Sequence, residues 1–268
     1  MNTDSEKRTL YTIACGGLCN RLNNIINGFY YQEKYSFDKR CIIWPHNRHC
    51  RGSFGELFEE GDFNIASTIG VAKGARKFRT TQRCRALRPR EIHLGGNEDC
   101  IVWSPRLVKG LPTDKVVEIV STRLPLPSTP LQGKIKSFLV DNDLEPNSYI
   151  GVHIRRSDLP RKQKKPDEFY INHITEALKN NKDQKFFLCS DDSKVEEEIY
   201  SIFPSNVIIR PKEHQPRRRK NNRINRSSEA VKEGVVDLFL LAQASRLIGS
   251  KGTYSQMAAL MINSTILG

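Results

Sequence analysis

Apolar and polar positions along this chain follow two periods that take turns. "LYTIAC" (10–15) is a short apolar run that reads as a buried strand. "GGLCN" is a tight glycine turn. "RLNNIINGFYYQEKY" then sets Leu22, Ile25, Ile26 and Phe29 at helical spacing. "RCIIWP" (40–45) is a second strand, ended by Pro45. This strand–turn–helix–strand unit predicts the opening of a parallel α/β layer. From about residue 52 to 127 the pattern weakens into Gly, Arg and short apolar pieces such as "CIVW", and no element is assigned.

The second half is sharper. The pattern predicts a helix over 129–144, a strand at "SYIGVHI" and a helix at "PDEFYINHITEALKN", with Pro166 near its start and acids in its first turn. It continues with a strand at "KFFLCS" (185–190), a helix at "DDSKVEEEIYSIF" and a strand at "NVIIR" (206–210). Next come a helix at "SSEAVKEGVVDLFLLAQAS", capped by Ser227 or Ser228, a strand at "RLIGS" and a last helix at "TYSQMAALMI". Strand and helix alternate four times, which predicts a doubly wound parallel sheet. The helical connection around 129–147 is the candidate boundary. Two facing α/β domains are therefore expected, 1–140 and 141–268.

Composition narrows the class. Of 268 residues, 38% are hydrophobic and 27% charged, which describes a globular chain with a real core. No apolar run reaches the roughly 18–20 residues that span a bilayer. The polar start "MNTDSEKRTLYTIAC" has no signal-peptide core, so a cytoplasmic location is expected. The net charge of +13 asks for an anionic partner without choosing among nucleotide, nucleic acid, acidic lipid or acidic glycan. The seven cysteines form no regular framework and read as reduced thiols. "CIIWPHNRHC" brings Cys41, His46, His49 and Cys50 close in sequence. No second Cys/His cluster accompanies them, so an incidental loop is preferred to zinc.

In an open parallel sheet, ligands bind at the carboxyl ends of strands. Here those ends carry "GGLCNR", "RRSD", "DD", "PKEHQPRRRKNNRINR" and "KGTYS". Arginines give fixed donor forks for phosphate, and a Ser/Thr/Gly loop opening a helix gives hydroxyls, N–H groups and a positive dipole end. A diphosphate is the economical ligand. The P-loop pattern is absent, as is G-x-G-x-x-G after the first strand, which argues against a P-loop nucleotidase and a dinucleotide oxidoreductase.

Four segments also carry a resemblance. "GVHIRRSD" resembles the HxRRxD peptide of the fucosyltransferase superfamily, which covers α1,2-, α1,6- and protein O-fucosyltransferases. "GGLCNRL" resembles its N-terminal GGLGNQL. "FFLCSDD" resembles its second motif, and "VVDLFLLAQASRLIGSKGTYSQMAA" its third. The resemblance spans about 14–31 and 148–262. It implies a GT-B fold, two Rossmann-like domains with parallel sheets facing across a cleft, and a donor bound mainly by the second. It implies metal-independent, inverting transfer of a sugar, usually fucose from GDP-fucose, to a glycan hydroxyl, with no cofactor. Arg155 matches the arginine on the donor β-phosphate and Arg156 the second arginine. His153 and Asp237 match positions that hold the nucleoside. Thr253 and Ser255, with Ser250 nearby, match phosphate-binding hydroxyls, and Asn20 lies near sugar or acceptor.

Three departures matter. Cys19 replaces a glycine, so the turn there must tolerate a Cβ. Gly252-Thr253-Tyr254-Ser255 replaces S-S-F-S. The acceptor-side glutamate of some members has no match, which leaves Asp158 as the nearest candidate base, with Asp167 and Glu168 further on. Alternatives stay open. Asp191 and Asp192 equally suit a helix N-cap, and His153 a hydrogen-bonded core position. The donor could instead be UDP-xylose or an activated rhamnose. The basic stretch 210–226 suits a solvated loop or a closing lid. It lacks interleaved aromatics, so the rival reading, a nucleic-acid-binding α/β protein, is disfavoured.

Overall fold

The computed structural model describes residues 7–68, 76–78, 99–103, 106–156, 164–212 and 225–264. The chain divides into two compact units, Met1–Leu126 and Pro127–Gly268. The boundary lies before the helix at 129–141, where the sequence reading had set it at 140. That helix packs on another of the second unit, which explains its membership.

The first unit is built on a five-stranded parallel sheet. Its elements are β1 (Thr9–Ile13), α1 (Leu18–Lys34), β2 (Lys39–Ile43), α2 (Phe54–Leu57), β3 (Ile65–Ala66), β4 (Arg76–Phe78), β5 (Cys100–Val102) and α3 (Thr113–Arg123). The strand order is β3-β2-β1-β5-β4. The chain moves outward from β1 in one direction and returns to its other side with β5. The stretch that resisted sequence reading therefore holds three strands of two or three residues, a one-turn helix and α3.

The second unit follows the sequence reading closely. Its elements are α4 (Thr129–Asp141), β6 (Ile150–Ile154), α5 (Asp167–Asn180), β7 (Phe186–Ser190), α6 (Ser193–Ile202), β8 (Val207–Ile209), α7 (Ser228–Ala242), β9 (Arg246–Gly249) and α8 (Thr253–Ile262). All four strands are parallel, in the order β8-β7-β6-β9. Every residue of β6 and β7 is buried, as expected of strands covered on both faces. Ile150, Val152, Ile154, Phe186 and Leu188 pack with Tyr170, Ile174 and Ile199 of α5 and α6. The opposite face meets α7. A Cβ on Gly151 would come within 2.9 Å of Leu241 Cδ2, so glycine lets that helix sit close. Ser227 caps α7 by accepting from the Ala230 amide, as its sequence predicted.

The order β8-β7-β6-β9 fixes where a ligand site belongs. From β6 the chain proceeds to β7 and β8 on one side, then crosses back to β9 on the other. The loops leaving β6 and β9 run to helices on opposite faces, and open parallel sheets bind ligands between such loops, at the carboxyl ends.

Candidate active site at the carboxyl end of the second sheet

The side-chain period of a strand sorts the residues of "IGVHIRR". Ile150, Val152 and Ile154 face α5 and α6. Gly151 and His153 face α7 and α8. His153 is buried, with Nδ1 2.6 Å from Ser255 Oγ and its ring 4.7 Å from that of Tyr254. Opposite it in register stands Gly249, where a Cβ would lie 3.0 Å from Ser255. Burial, outweighing the pull of Asp191, pushes the His153 imidazole down to about 4, so the ring is neutral near pH 7.

The same period separates the two arginines. Arg156 turns to α5. Its Nη2 pairs with Asp167, its Nη1 donates to the Lys165 carbonyl at 2.8 Å, and its guanidinium lies 5.6 Å from the Tyr170 ring centre. Arg155 turns to the loop before α8. Its Cδ would be 3.9 Å from a Cβ on Gly252, the residue that precedes α8 with φ +153° and ψ 164°. That backbone region is nearly exclusive to glycine. No side chain caps α8, whose first residue is Thr253. The positive end of its dipole therefore stands beside Arg155.

Both arginine amides are gripped. Arg155 N–H donates to Ser250 Oγ at 2.9 Å, and Arg156 N–H donates to Asp191 Oδ1 at 2.6 Å. Ser190 Oγ donates to the Ile154 carbonyl at 2.8 Å. Ser250 is buried, and its hydroxyl also meets Tyr170 Oη at 2.7 Å and the His153 carbonyl at 3.2 Å. Ser250 therefore positions the β6 exit. Asp192 caps α6 by accepting from the Lys194 amide, whereas Asp191 holds the Arg156 amide. Asp158 lies outside the described residues.

Asp237 is buried, but its carboxylate is engaged. Oδ1 accepts from Arg210 Nε at 2.8 Å, and Oδ2 lies 3.5 Å from Lys212 Nζ. Arg210 also pairs with Glu233, and Lys212 with Glu196. Glu196 Oε1 accepts from the Ser190 amide at 2.6 Å. Burial opposes the charge on Lys212, yet Asp237 and Glu196 hold its ammonium above the usual value. This network ties β7, β8, α6 and α7 together behind the site. Sequence reading had placed Arg210 and Lys212 in a solvated basic stretch. The available signal was Glu233 and Asp237, four apart on one helix face.

In the first unit, Asn20 stands in the first turn of α1, half-buried, beneath Gly16. A Cβ on Gly16, whose φ is +93°, would be 3.0 Å from Asn20 Nδ2. Cys19 belongs to the α1 helix, so the turn does not have to accommodate its Cβ in a strained conformation. The fully buried Arg21, unnoticed in sequence, donates to the carbonyls of Gly16 at 3.1 Å and Pro45 at 2.8 Å, fixing the ends of β1 and β2. Cys41 and Cys50 point inward while His46 and His49 are exposed. Among the described residues, no group of three or more His, Cys, Asp or Glu side chains could hold a metal ion. Nor is any helix among them long and apolar enough to cross a membrane.

No protein-family model matches the chain, and no curated protein matches it in sequence. Solved structures do match in three dimensions. NodZ α-1,6-fucosyltransferase co-crystallised with GDP superposes with a TM-score of 0.64 at 16% identity, over 94% of this chain and 92% of that one. The same enzyme soaked with GDP-fucose gives 0.64 at 17%, over 96% and 93%. NodZ is a fucosyltransferase from Bradyrhizobium. POFUT1 in complex with GDP gives 0.60 at 12%, over 98% and 97%. The chain thus shares a fold with fucosyltransferases, and the resemblance read from four short segments has its counterpart in the backbone.

Proposed function

We propose that this chain is an inverting, metal-independent glycosyltransferase of GT-B type that moves fucose from GDP-fucose to a glycan hydroxyl. One juxtaposition carries the reading. Arg155, held by its amide, stands beside Gly252 and the uncapped start of α8 at the carboxyl ends of β6 and β9. Solved structures of the same fold contain GDP and GDP-fucose.

The acceptor oxygen attacks the anomeric carbon as the bond to the β-phosphate oxygen breaks, and GDP leaves with the electron pair. Negative charge grows on the diphosphate in that step. A fixed guanidinium and a helix amino end oppose it most strongly in the transition state. These groups take the neutralising task that a metal ion performs elsewhere. Thr253 supplies a hydroxyl at the same helix start. Ser255 and neutral His153 form the wall behind it. Arg156 and Ser250 position the peptide that carries Arg155. Asp158 is the proposed base for the acceptor proton, and Asn20 the proposed sugar- or acceptor-side contact.

The test is a panel of nucleotide sugars, scored by thermal shift and by release of nucleoside diphosphate, with and without EDTA. GDP-fucose should stabilise the protein and turn over in EDTA, and Arg155→Ala should lower turnover by about 10²–10³-fold. A UDP-sugar preference would overturn the donor assignment. An Arg155→Ala variant that turns over like its parent would overturn the central one.

A further inference from the structure

A second cationic feature lies at the other end of the first unit's sheet. Arg40 is paired with Leu10 in the β1–β2 register, so it stands near the amino ends of the strands, away from Gly16 and Asn20. Its guanidinium carbon is 3.3 Å from the Phe29 ring centre and 5.7 Å from that of Phe63. The guanidinium of Arg123, exposed in the last turn of α3, is 5.7 Å from the same Phe29 centre. Two cations therefore share one aromatic ring.

Among the described residues, neither has an anion. Arg40 Nε and Nη1 are sealed from solvent with no hydrogen-bond partner, which leaves Nη2 as the nitrogen not enclosed in this way. No carboxylate among the described residues pairs with Arg40 or Arg123. Burial first, and the charge of Arg123 second, lower the Arg40 guanidinium to about 10. The adjacent Thr12 Oγ1 is likewise buried without a partner. Thr12 and Arg40 flank the bare Cα of Gly28, where a Cβ would lie 3.2 Å from Thr12 Oγ1 and 3.4 Å from Arg40 Cδ. Arg123 also complements the α3 dipole, but that gives Arg40 no acceptor. Burying an unpaired guanidinium beside a like charge is costly unless something anionic joins it.

We infer that Arg40 and Arg123, over Phe29, form an oxyanion site that takes a tetrahedral dianion, a phosphate or sulfate group. Two cations balance two negative charges, and the open Nη2 of Arg40 with the exposed guanidinium of Arg123 supplies donors for the oxygens of such a group. The site is independent of the donor-side reading, since it belongs to other residues at the opposite end of another sheet.

The experiment is calorimetric titration of inorganic phosphate and of a hexose 6-phosphate at fixed ionic strength. It is run in the Arg155→Ala background, so that the donor-side cation does not contribute. We expect one saturable site, weakened at least tenfold by Arg123→Gln, whose exposed side chain leaves folding intact. Arg40→Lys, which keeps the charge and loses the Nη2 donor held over Phe29, should weaken it as well. Tighter binding of the sugar phosphate would assign the site to a group on a larger ligand, and equal binding to the free ion. Unchanged phosphate affinity in Arg123→Gln, no saturable binding in the parent, or a crystal soak showing only water at the guanidinium groups of Arg40 and Arg123 would overturn the proposal.

Discussion

Arg155 and Arg156 are adjacent in the chain, yet their side chains serve opposite faces of the second sheet. Arg156 is pinned to Asp167 and the Lys165 carbonyl of the α5 side, whereas Arg155 borders Gly252 before α8. Alanine at the two positions should therefore separate two properties. Arg155→Ala should abolish the stabilisation by GDP. Arg156→Ala should lower stability by about 1–3 kcal/mol, through lost charged hydrogen bonds. It should reduce turnover only as far as the β6 exit loosens. Thermal unfolding with and without GDP reads both. Full GDP stabilisation in Arg155→Ala, or its loss in Arg156→Ala alone, would contradict the division of labour.

The second unit was legible because its strands and helices are long enough to show a period. Val152 and Ile154, or Val235, Leu238 and Ala242, repeat often enough to name an element. In the first unit, Ile65–Ala66 and Cys100–Val102 are too short to show alternation, and their pairing with β2, β1 and β4 is entirely long-range. Arg155 stood out as a candidate because a charge at the end of a buried strand has few reasons to be there. The network around Asp237 did not. Arg210 and Lys212 open a run of cations in the sequence, and their burial shows only in their contact with Glu196, Glu233 and Asp237.

Asp237 is the hinge of that network, so removing it should act first on stability. Asp237→Ala leaves Arg210 with Glu233 alone and Lys212 with Glu196 alone, in a buried setting. Breaking a buried pair in this way costs about 3–5 kcal/mol. The midpoint should fall on the order of 10 °C. Differential scanning calorimetry decides it. A variant as stable as its parent but unable to bind GDP would make Asp237 a ligand contact and not a structural anchor.

His153 should leave a signature in the pH dependence of stability. Its folded value of about 4 is below the ordinary value of 6.5. The unfolded chain therefore binds the proton more readily, and stability rises with pH wherever the two states differ in protonation. The contribution is fully present above about pH 6.5 and is lost progressively as the pH falls toward 4, amounting to about 3 kcal/mol at most. Urea midpoints measured from pH 7.5 to 4.5 should fall in the parent and fall less steeply in His153→Gln. Parallel pH profiles would mean that the imidazole binds its proton equally well in the folded and unfolded states.

Gly252 tests whether the start of α8 must be free to adopt its conformation beside Arg155. Its φ of +153° with ψ 164° is strained for any residue with a Cβ, although the space itself is adequate, since that Cβ would be an ordinary 3.9 Å from Arg155 Cδ. The cost of Gly252→Ala is therefore conformational, about 1–3 kcal/mol. The chain relieves it by rotating the loop away from the observed geometry. That rotation carries the Thr253 hydroxyl and the first N–H groups of α8 out of line with the guanidinium. Donor affinity and turnover should fall together, while Gly234→Ala, in α7 with no atom near its added Cβ, should leave both intact. Calorimetric GDP titration of the two variants is the measurement. Full GDP affinity in Gly252→Ala would show that Arg155 holds the diphosphate without the helix amino end.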